Sequence, residues 1–423
     1  MKLTARERLI KTLNHQDPGR VVMDMGSTSI TGMNVEAVTH LRAALGLEKY
    51  PVKIDEPMQM LGMIDDDLRA AVGVDVVGIN NDMTIFGFKN EGYKPWKVPT
   101  GIEVMVPEKF NTTTDAQGNT FIYPNGDTGV APAGKAPAGG YFFDNTHKDM
   151  SDFDEDNDAR LDFKDDFGVF TDEHLRTIQD KCEYYYNNTE YGMIAGGALA
   201  GLGDLAILPG PFLKNPKGLR DAEEFMVAHY TMPDYVKEMF AMHTEAAMAN
   251  VKLLKQALGE KIQAIIVSST DFGTQKAPFI SNDFYREFYK PNHKKINDWI
   301  HENTDWKVFF HTCGAIAPLL PEFYEAGVDI LNPVQTSAEG MDAKMLKEKW
   351  GGKFVFWGGG VDTQHVLPFG TPEMVYEEVS KTLELFAPGG GYVFVPIHNV
   401  QGPTPAENLV AMYKAVDDYR NRA

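Results

Sequence analysis

The sequence predicts an α/β fold, a (β/α)8 barrel (TIM barrel) that carries a β-rich insertion after its second strand. Eight short apolar runs have the length of buried strands, and segments with helical periodicity separate them. Polar residues directly follow most of these runs, as expected where parallel strands end at a common face. A doubly wound open sheet is the alternative, because the connections between the first three strands are long and irregular.

The predicted elements divide the chain as one barrel domain over residues 1–423. Thr4 and Glu7 have the spacing of a capping box, which predicts a helix from there to about Asn14. The predicted strands cover residues 21–25, 74–79, 193–196, 264–267, 307–310, 328–331, 354–357 and 391–395. The further predicted helices cover residues 35–45, 58–72, 220–229, 233–258, 281–303, 316–326, 342–350, 372–385 and 405–419.

Residues 86–145 differ from the rest of the chain, since glycine, proline, threonine and aromatic residues alternate there. These are hairpin and turn signals, so we expect an inserted β-rich segment. Its aromatic residues include Phe121, Tyr123, Tyr141 and Phe142. The segment is expected either to cover an apolar substrate as a lid or to contact a second subunit, which would make the protein a homodimer.

The overall charge argues against two classes of partner. The chain has 423 residues and a formal net charge of -20, and its pI is near 5.0. Nucleic acid and anionic membranes both attract basic surfaces, so neither is expected as a partner. The two cysteines lie far apart, and neither a signal peptide nor an apolar run of transmembrane length occurs. We therefore expect a cytoplasmic protein.

A candidate metal site follows the fifth predicted strand. His311 and Cys313 are two residues apart, so on extended backbone both side chains point the same way. Imidazole nitrogen and thiolate sulfur are good zinc ligands, and His398 after the eighth strand would supply a third. Asp271, after the fourth strand, is a candidate fourth ligand or a partner that orients a histidine. The alternative is a small buried cysteine beside a hydrogen-bonded core histidine.

Further polar side chains fall at the predicted mouth of the barrel. Asp24 and Asp271 are the candidate catalytic residues, and the candidate substrate-binding residues are Met25, Asn80, Gln335 and Asp362. Each has a structural alternative, because loops carry polar residues in any case. Asp362 precedes a helix and could only cap it, and Asp24 could be a core carboxylate held by backbone donors.

Several motifs resemble the uroporphyrinogen decarboxylase superfamily, which also contains corrinoid-dependent methyltransferases. The segments that carry the resemblance are residues 6–8, 15–21, 271–275, 311–314, 331–335, 357–362 and 404–408. The resemblance implies a (β/α)8 barrel. The decarboxylases carry an arginine-rich loop after the first strand that pairs with the carboxylates of the tetrapyrrole. Here the loop from Met25 to Thr31 has no arginine, and buried carboxylates without cationic partners are costly.

The methyltransferase branch carries a His-x-Cys pair and a later cysteine as zinc ligands. His311 and Cys313 match that pair, whereas His398 stands at the later cysteine position. The resemblance therefore implies zinc and methyl transfer to or from the cobalt of a corrinoid (cobalamin) carried by a partner protein. The small-molecule methyl donor or acceptor is expected to be, for example, a methoxylated aromatic compound that undergoes O-demethylation. Tetrapyrrole decarboxylation with Asp24 as the key carboxylate and a non-catalytic metal- or corrinoid-binding protein remain as alternatives.

Overall fold

Eight parallel strands form the centre of the molecule. The computed structural model describes residues 3–154, 156–196 and 201–422. In chain order they are β1 (Val22–Met23), β2 (Val76–Ile79), β3 (Gly192–Ala195), β4 (Ala264–Ser268), β5 (Lys307–His311), β6 (Ile330–Asn332), β7 (Val355–Trp357) and β8 (Tyr392–Phe394). Consecutive strands from β2 to β8 are neighbours, and β8 pairs with β1. All eight strand predictions are confirmed.

The strands close into a barrel rather than an open doubly wound sheet. Val22 of β1 pairs with Val393 of β8, and the amide of Asp75, next to β2, donates to the carbonyl of Met23 at 2.8 Å. This hydrogen bond joins β1 to the start of β2, which are the two strands at the ends of the sheet, and it closes the ring. The barrel interior is an apolar cluster that includes Val22, Val76, Ile194, Ala264, Phe309, Ile330, Val355 and Val393. Such a filled interior leaves the carboxyl ends of the strands as the place for a site.

The first helix closes the opposite end of the barrel. It spans Ala5–Leu13, and the predicted capping box between Thr4 and Glu7 is present in full. Leu9 and Leu13 are buried in the same apolar cluster as the barrel interior. The sequence signal for the helix start and the burial of its apolar face thus agree.

Helices follow most strands and surround the barrel. They are Val35–Ala44, Asp66–Val72, Ala159–Asp162, Asp172–Asn188, Ala222–Thr231, Pro233–Leu258, Asn282–Phe284, Lys290–Asn303, Leu320–Glu325, Ala343–Trp350, Val366–Phe369, Pro372–Phe386 and Ala406–Arg420. The helix expected over 281–303 contains a π-helical turn at Tyr285–Tyr289. Among the described residues, no helix has both the length and the apolar character needed to cross a membrane.

The helix predicted over residues 58–72 is wrong in its first half. A short hairpin of Ile54–Glu56 and Leu61–Gly62 precedes it, and only Asp66–Val72 is helical. The carboxylate of Glu56 accepts the amides of Met58 and Gln59, each at 2.8 Å, which stabilises a turn there. Met60 has a positive φ of 55°, a conformation that a helix does not tolerate.

The insertion after β2 is rich in strands, as its turn signals predict. Its strands are Lys94–Lys97, Glu103–Val106, Thr112–Thr114, Thr120–Ile122, Gly134–Ala136 and Asp144–Asn145. Phe86, Phe88, Phe110 and Phe143 are buried within it, and their rings form one stacked and two edge-to-face pairs. Asn125 donates to the carbonyl of Phe212 at 2.9 Å, so the insertion is also tied to the loop after β3.

Candidate metal site at the barrel mouth

The structure brings together three of the predicted site residues where β4 and β5 end. One ligand atom each from Asp271, His311 and Cys313 lies within 4.8 Å of the other two. Nε2 of His311 is 3.5 Å from Sγ of Cys313 and 3.7 Å from Oδ1 of Asp271. His311 is buried, Cys313 is half-buried, and Asp271 is more exposed. The three ligand atoms thus lie close together, and Asp271 is on the most exposed side of the cluster.

These distances fit a zinc ion. Tetrahedral zinc with bonds of about 2.3 Å to sulfur and about 2.05 Å to nitrogen separates the two ligand atoms by about 3.6 Å. The His311–Cys313 separation agrees with that value without any movement. Burial raises the pKa of the Cys313 thiol well above its ordinary value, and the Asp271 carboxylate adds to this. The thiolate form therefore needs a cation beside it, which is what a metal would supply.

Hydrogen bonds between the loops after β4 and β5 set the geometry of the cluster. The amide of Cys313 donates to Oδ1 of Asp271 at 2.7 Å, and the amide of Phe272 donates to Oγ1 of Thr312 at 2.9 Å. A Cβ on Gly314, where φ is +94°, would lie 2.4 Å from the carbonyl of Gly273. Only glycine allows the two loops to approach this closely.

Residues at the end of β6 and after it support the same loop. Oε1 of Gln335 accepts the amide of Gly314 at 2.8 Å, and Nε2 of Gln335 donates to Oε1 of Gln275 at 3.0 Å. Nδ1 of His311 lies 2.6 Å from Oδ1 of Asn332. Gln335, predicted to bind substrate, is thus placed as a support of the metal-site loop, and its substrate role stays a prediction.

His398 lies near the cluster but is not a member of it among the described residues. Its Nδ1 is 3.2 Å from the carbonyl of Asn399. Burial lowers the pKa of His398, and the charges of His311 and Asp271 also act on it, so the three groups are neighbours. Asp271, and not His398, thus lies close to both His311 and Cys313 in this structure, and ligation of a metal by either residue stays a prediction.

Asp24 lies buried beside the end of β7. It accepts hydrogen bonds from the amide and hydroxyl of Ser27 at 3.2 and 2.8 Å, and from the indole of Trp357 at 3.0 Å. Burial raises its pKa to about 6, against these hydrogen bonds. Met25 is also buried, and its sulfur accepts the hydroxyl of Tyr413. Asp24 is thus a carboxyl group that can hold or release a proton near neutral pH.

Asn80 and Asp362 make contacts within the rim. Nδ2 of Asn80 donates to the carbonyl of Ser27 at 3.3 Å. Oδ1 of Asp362 accepts hydrogen bonds from the amides of Gln364 and His365 at 2.6 and 2.9 Å, which stabilises the turn before the helix Val366–Phe369. No contact ties either side chain to the metal cluster within the described residues, and their substrate-binding roles stay predictions.

One acidic residue near the site was not predicted. Asp204, in the loop after β3, is buried, and Ser269 and the amide of Ala206 donate to it. Burial raises its pKa to about 6, and the charges of Asp271 and His311 act on it. No motif surrounds it in the sequence. Its only signal was an aspartate in the glycine-rich segment after the third predicted strand.

The insertion forms a second concavity. A cleft of about 280 Å³ lies between the insertion and the start of the helix Val35–Ala44, and Trp96, Tyr141 and Phe142 line it. Phe121 lies under the ammonium group of Lys135, and Tyr123 is buried with its hydroxyl on Thr113. The aromatic residues expected to cover a substrate thus pack within the insertion or line this cleft. These contacts test neither the lid role nor the subunit-contact role.

The comparisons with known proteins agree with the fold and the motifs. Residues 215–419 match the model of the family described as uroporphyrinogen decarboxylase (URO-D), and this range contains β4 to β8 and the candidate metal cluster. A methyltransferase from Methanosarcina mazei has the same fold, with a TM-score of 0.55 and 15% identity over 99% of each chain.

Other comparisons add little. A rutinosidase from Aspergillus niger covers 59% of this chain and 73% of its own, with 10% identity and a TM-score of 0.35, which is too low to carry an argument. No curated protein sequence matches at a significant level. The family match over residues 215–419 nevertheless confirms the resemblance that the motifs indicate: this part of the chain is similar to the uroporphyrinogen decarboxylase (URO-D) family.

Proposed function

We propose that this protein is a zinc-dependent methyltransferase that moves a methyl group between a small-molecule donor and the cobalt of a separate corrinoid protein. The observation that carries the proposal is the placement of His311, Cys313 and Asp271 at zinc-ligand distances on the carboxyl side of the barrel. Barrel enzymes of this kind place their chemistry at that face. A methoxylated aromatic compound is the donor class that we propose, and the reaction would then be an O-demethylation.

Each residue of the cluster has a definite part in this proposal. His311 and Cys313 would hold the ion, with Asp271 or His398 as the third protein ligand and one position left open. Zinc would supply Lewis-acid polarisation of the heteroatom that carries the methyl group. Asp24 and Asp204, both buried with raised pKa values, would hold or move a proton near neutral pH.

The loop after β1 supports methyl transfer over tetrapyrrole decarboxylation. Residues 25–31 contain no arginine that could pair with the carboxylates of a uroporphyrinogen. The side chain of Asn399 instead holds this loop. Its Oδ1 accepts a hydrogen bond from the amide of Gly32 at 2.5 Å, and its Nδ2 donates to the carbonyl of Ser29 at 2.7 Å. The fold shared with a Methanosarcina mazei protein that is named a methyltransferase is consistent with the same branch.

The first test is the metal content of the purified protein and of three variants. About one zinc per chain is expected in the wild type, and its loss is expected in Cys313→Ala. Cys182→Ala is the matched control, because Cys182 is the other cysteine of the chain and lies buried in the helix Asp172–Asn188. It should retain zinc. His398→Ala then decides between the two candidates for the third ligand.

The second test is methyl transfer from a panel of donors to cob(I)alamin, followed by absorbance. Activity in the wild type and in Cys182→Ala, with its loss in Cys313→Ala, would support the proposal. Zinc binding without any transfer would favour a metal-binding protein that does not turn substrate over. A wild type that takes up no zinc would overturn the zinc-dependent mechanism.

Decarboxylation of a tetrapyrrole is the second candidate, and one observation favours it. Asp24 is a buried carboxyl group at the barrel mouth with a pKa of about 6, so it could exchange a proton with a reacting group. Turnover of uroporphyrinogen by metal-free protein, with loss of activity in Asp24→Asn, would support this function. We rank it second because the cationic partners for the substrate carboxylates are missing from the loop.

A further inference from the structure

Asn332, at the end of β6, makes two side-chain hydrogen bonds at the floor of the metal cluster. Its Nδ2 donates to the backbone carbonyl of Trp357 at 2.7 Å, and its Oδ1 lies 2.6 Å from Nδ1 of His311. Asn332 is only 1% exposed, so water does not compete for either contact. The family resemblance includes this asparagine in a matched segment but gives it no role.

The two contacts together fix the orientation of the amide. A backbone carbonyl accepts and never donates, so the group that faces Trp357 O must be the NH2 of Asn332. The amide oxygen then faces His311, and an oxygen can only accept. The proton of a neutral His311 must therefore sit on Nδ1, which leaves the lone pair on Nε2.

The backbone around this pair is held from both sides. Residues His311 and Asn332 pair directly in the β5–β6 ladder, and the amide of Thr312 donates to the carbonyl of Asn332 at 2.7 Å. Trp357 is fixed in turn, since its indole donates to Asp24 and its ring packs on Phe309 at 5.3 Å between centroids. The amide of Asn332 thus has little freedom to turn over.

We infer that Asn332 is a positioning residue, which fixes the Nδ1–H tautomer of His311 and so directs the Nε2 lone pair toward Cys313 and Asp271. The inference rests on the proposed function only for the identity of the ion that Nε2 meets. The tautomer itself is a property of the metal-free protein. Hydrogen-bond partners of this kind hold the ligating imidazole in the correct orientation and raise its affinity for the metal.

The test begins with metal-free wild type labelled with ¹⁵N in its histidines. The imidazole signals of His311 are identified by their absence in His311→Gln. We expect the protonated nitrogen to be Nδ1. A proton on Nε2 would overturn the inference, and this measurement requires no change at Asn332 itself.

The second step compares zinc affinity across variants by competition with a chelator. Asn332→Leu removes both hydrogen bonds at similar volume, and we expect it to lose the single tautomer and to bind zinc about 10- to 100-fold more weakly. Asn332→Asp keeps an acceptor for Nδ1–H and should stay closer to the wild type. The matched control is Asn408→Leu, since Asn408 is also buried and donates to the carbonyls of Leu367 and Gly370, on the outer helices.

The outcomes separate this inference from the proposed function. Equal zinc affinities for Asn332→Leu and Asn408→Leu would show that any loss reflects general destabilisation, and would overturn the positioning role. An Nδ1–H tautomer that depends on Asn332, in a protein that binds no zinc, would support the tautomer assignment and overturn the zinc-dependent function.

Discussion

The indole Nε1 of Trp357 lies 3.0 Å from Oδ2 of Asp24, so the last residue of β7 donates a hydrogen bond to the carboxylate that follows β1. Both groups are buried. Within the described chain, none of the hydrogen-bond partners of the Asp24 carboxylate is a cation. Burial penalises the charged form and raises the pKa of Asp24 from 3.8 to about 6, although the hydrogen bonds oppose this rise.

This raised pKa predicts a pH-dependent loss of stability. The folded protein binds this proton more tightly than the unfolded chain does. The contribution of this proton to the free energy of unfolding is therefore fully present below about pH 4, and it is lost as the pH rises through 6. A shift of this size corresponds to about 3 kcal/mol. Asp24→Asn has no such proton, so the unfolding free energy of the wild type should fall relative to the variant by that order between pH 4 and 7.

Urea unfolding of metal-free protein at a series of pH values measures this difference. The comparison with Asp24→Asn removes the contribution of every other titrating group, including Glu56 and Asp204, whose pKa values burial also raises. Tyr413 faces Asp24, but burial raises its pKa above the range of the experiment. Parallel curves for the two proteins would mean that the pKa of Asp24 is the same in the folded and the unfolded chain.

The contact between Gly314 and Gly273 predicts a second, local effect. A Cβ at Gly314 would lie 2.4 Å from the Gly273 carbonyl, and φ is +94° there. Gly101 has a similar φ of +90° but nothing within 4 Å of the same position, so it is a matched control. Both alanine variants should lose about 1–2 kcal/mol for the left-handed backbone. Gly314→Ala should lose about 1–3 kcal/mol more, because the two loops must separate.

Thermal or urea unfolding measures both variants, and zinc affinity adds a second readout. We expect Gly314→Ala to bind zinc more weakly, since the displaced loop carries Cys313, whereas Gly101→Ala should bind as the wild type does. Equal losses of stability in the two variants would indicate that backbone conformation alone, and not the approach of the loops, requires glycine at residue 314.

The sequence predicted the barrel well because its signals are local. Each strand is a short apolar run, and the side chains of β4 to β8 alternate between the interior and the surrounding helices. The region from residue 58 to 65 failed for the opposite reason. Met58, Leu61 and Ile64 have helical spacing, but the Glu56 carboxylate and the positive φ of Met60 produce a turn that periodicity does not reveal.

The site was predicted in part. His311 and Cys313 share one segment, so their convergence follows from extended backbone, and Asp271 follows the neighbouring strand. No role was predicted for Asp204 or Asn332, because each role depends on hydrogen-bond partners that are distant in the sequence. The partner of Asp204 is Ser269, and the partners of Asn332 are Trp357 and His311. Such pairs become visible only when the strands are placed side by side.

A buried ion-pair network at the closed end of the barrel predicts a large effect on stability. Asp75 accepts the guanidinium groups of Arg8 and Arg420, and it also accepts the amide of Met23 at 3.0 Å. It thereby joins the first and last helices to the seam between β1 and β2. Asp75→Asn leaves two buried cations without their partner, which costs about 3–5 kcal/mol.

The control for Asp75 is an exposed pair. Glu377 and Lys381 lie 3.8 Å apart with side chains 68% and 77% exposed, so Glu377→Gln should not change the stability measurably. Urea unfolding near neutral pH compares the two variants. A small loss in Asp75→Asn would mean that the remaining hydrogen bonds to the arginines, and not the charge of Asp75, stabilise this end of the barrel.

The proposed zinc site predicts that a chelator lowers the stability of the protein, and that this effect depends on Cys313. An ion that binds only the folded chain adds about 4 kcal/mol when its free concentration is a thousandfold above its Kd. The wild type and Cys182→Ala should therefore lose several degrees of melting temperature when a chelator is added, whereas Cys313→Ala should melt at the same temperature with and without it. The comparison is made within each protein, so the cavity that Cys182→Ala creates does not affect it. Equal changes of melting temperature in all three proteins on addition of chelator would place the zinc at another site. If the melting temperature of the wild type does not change, zinc does not stabilise the folded chain.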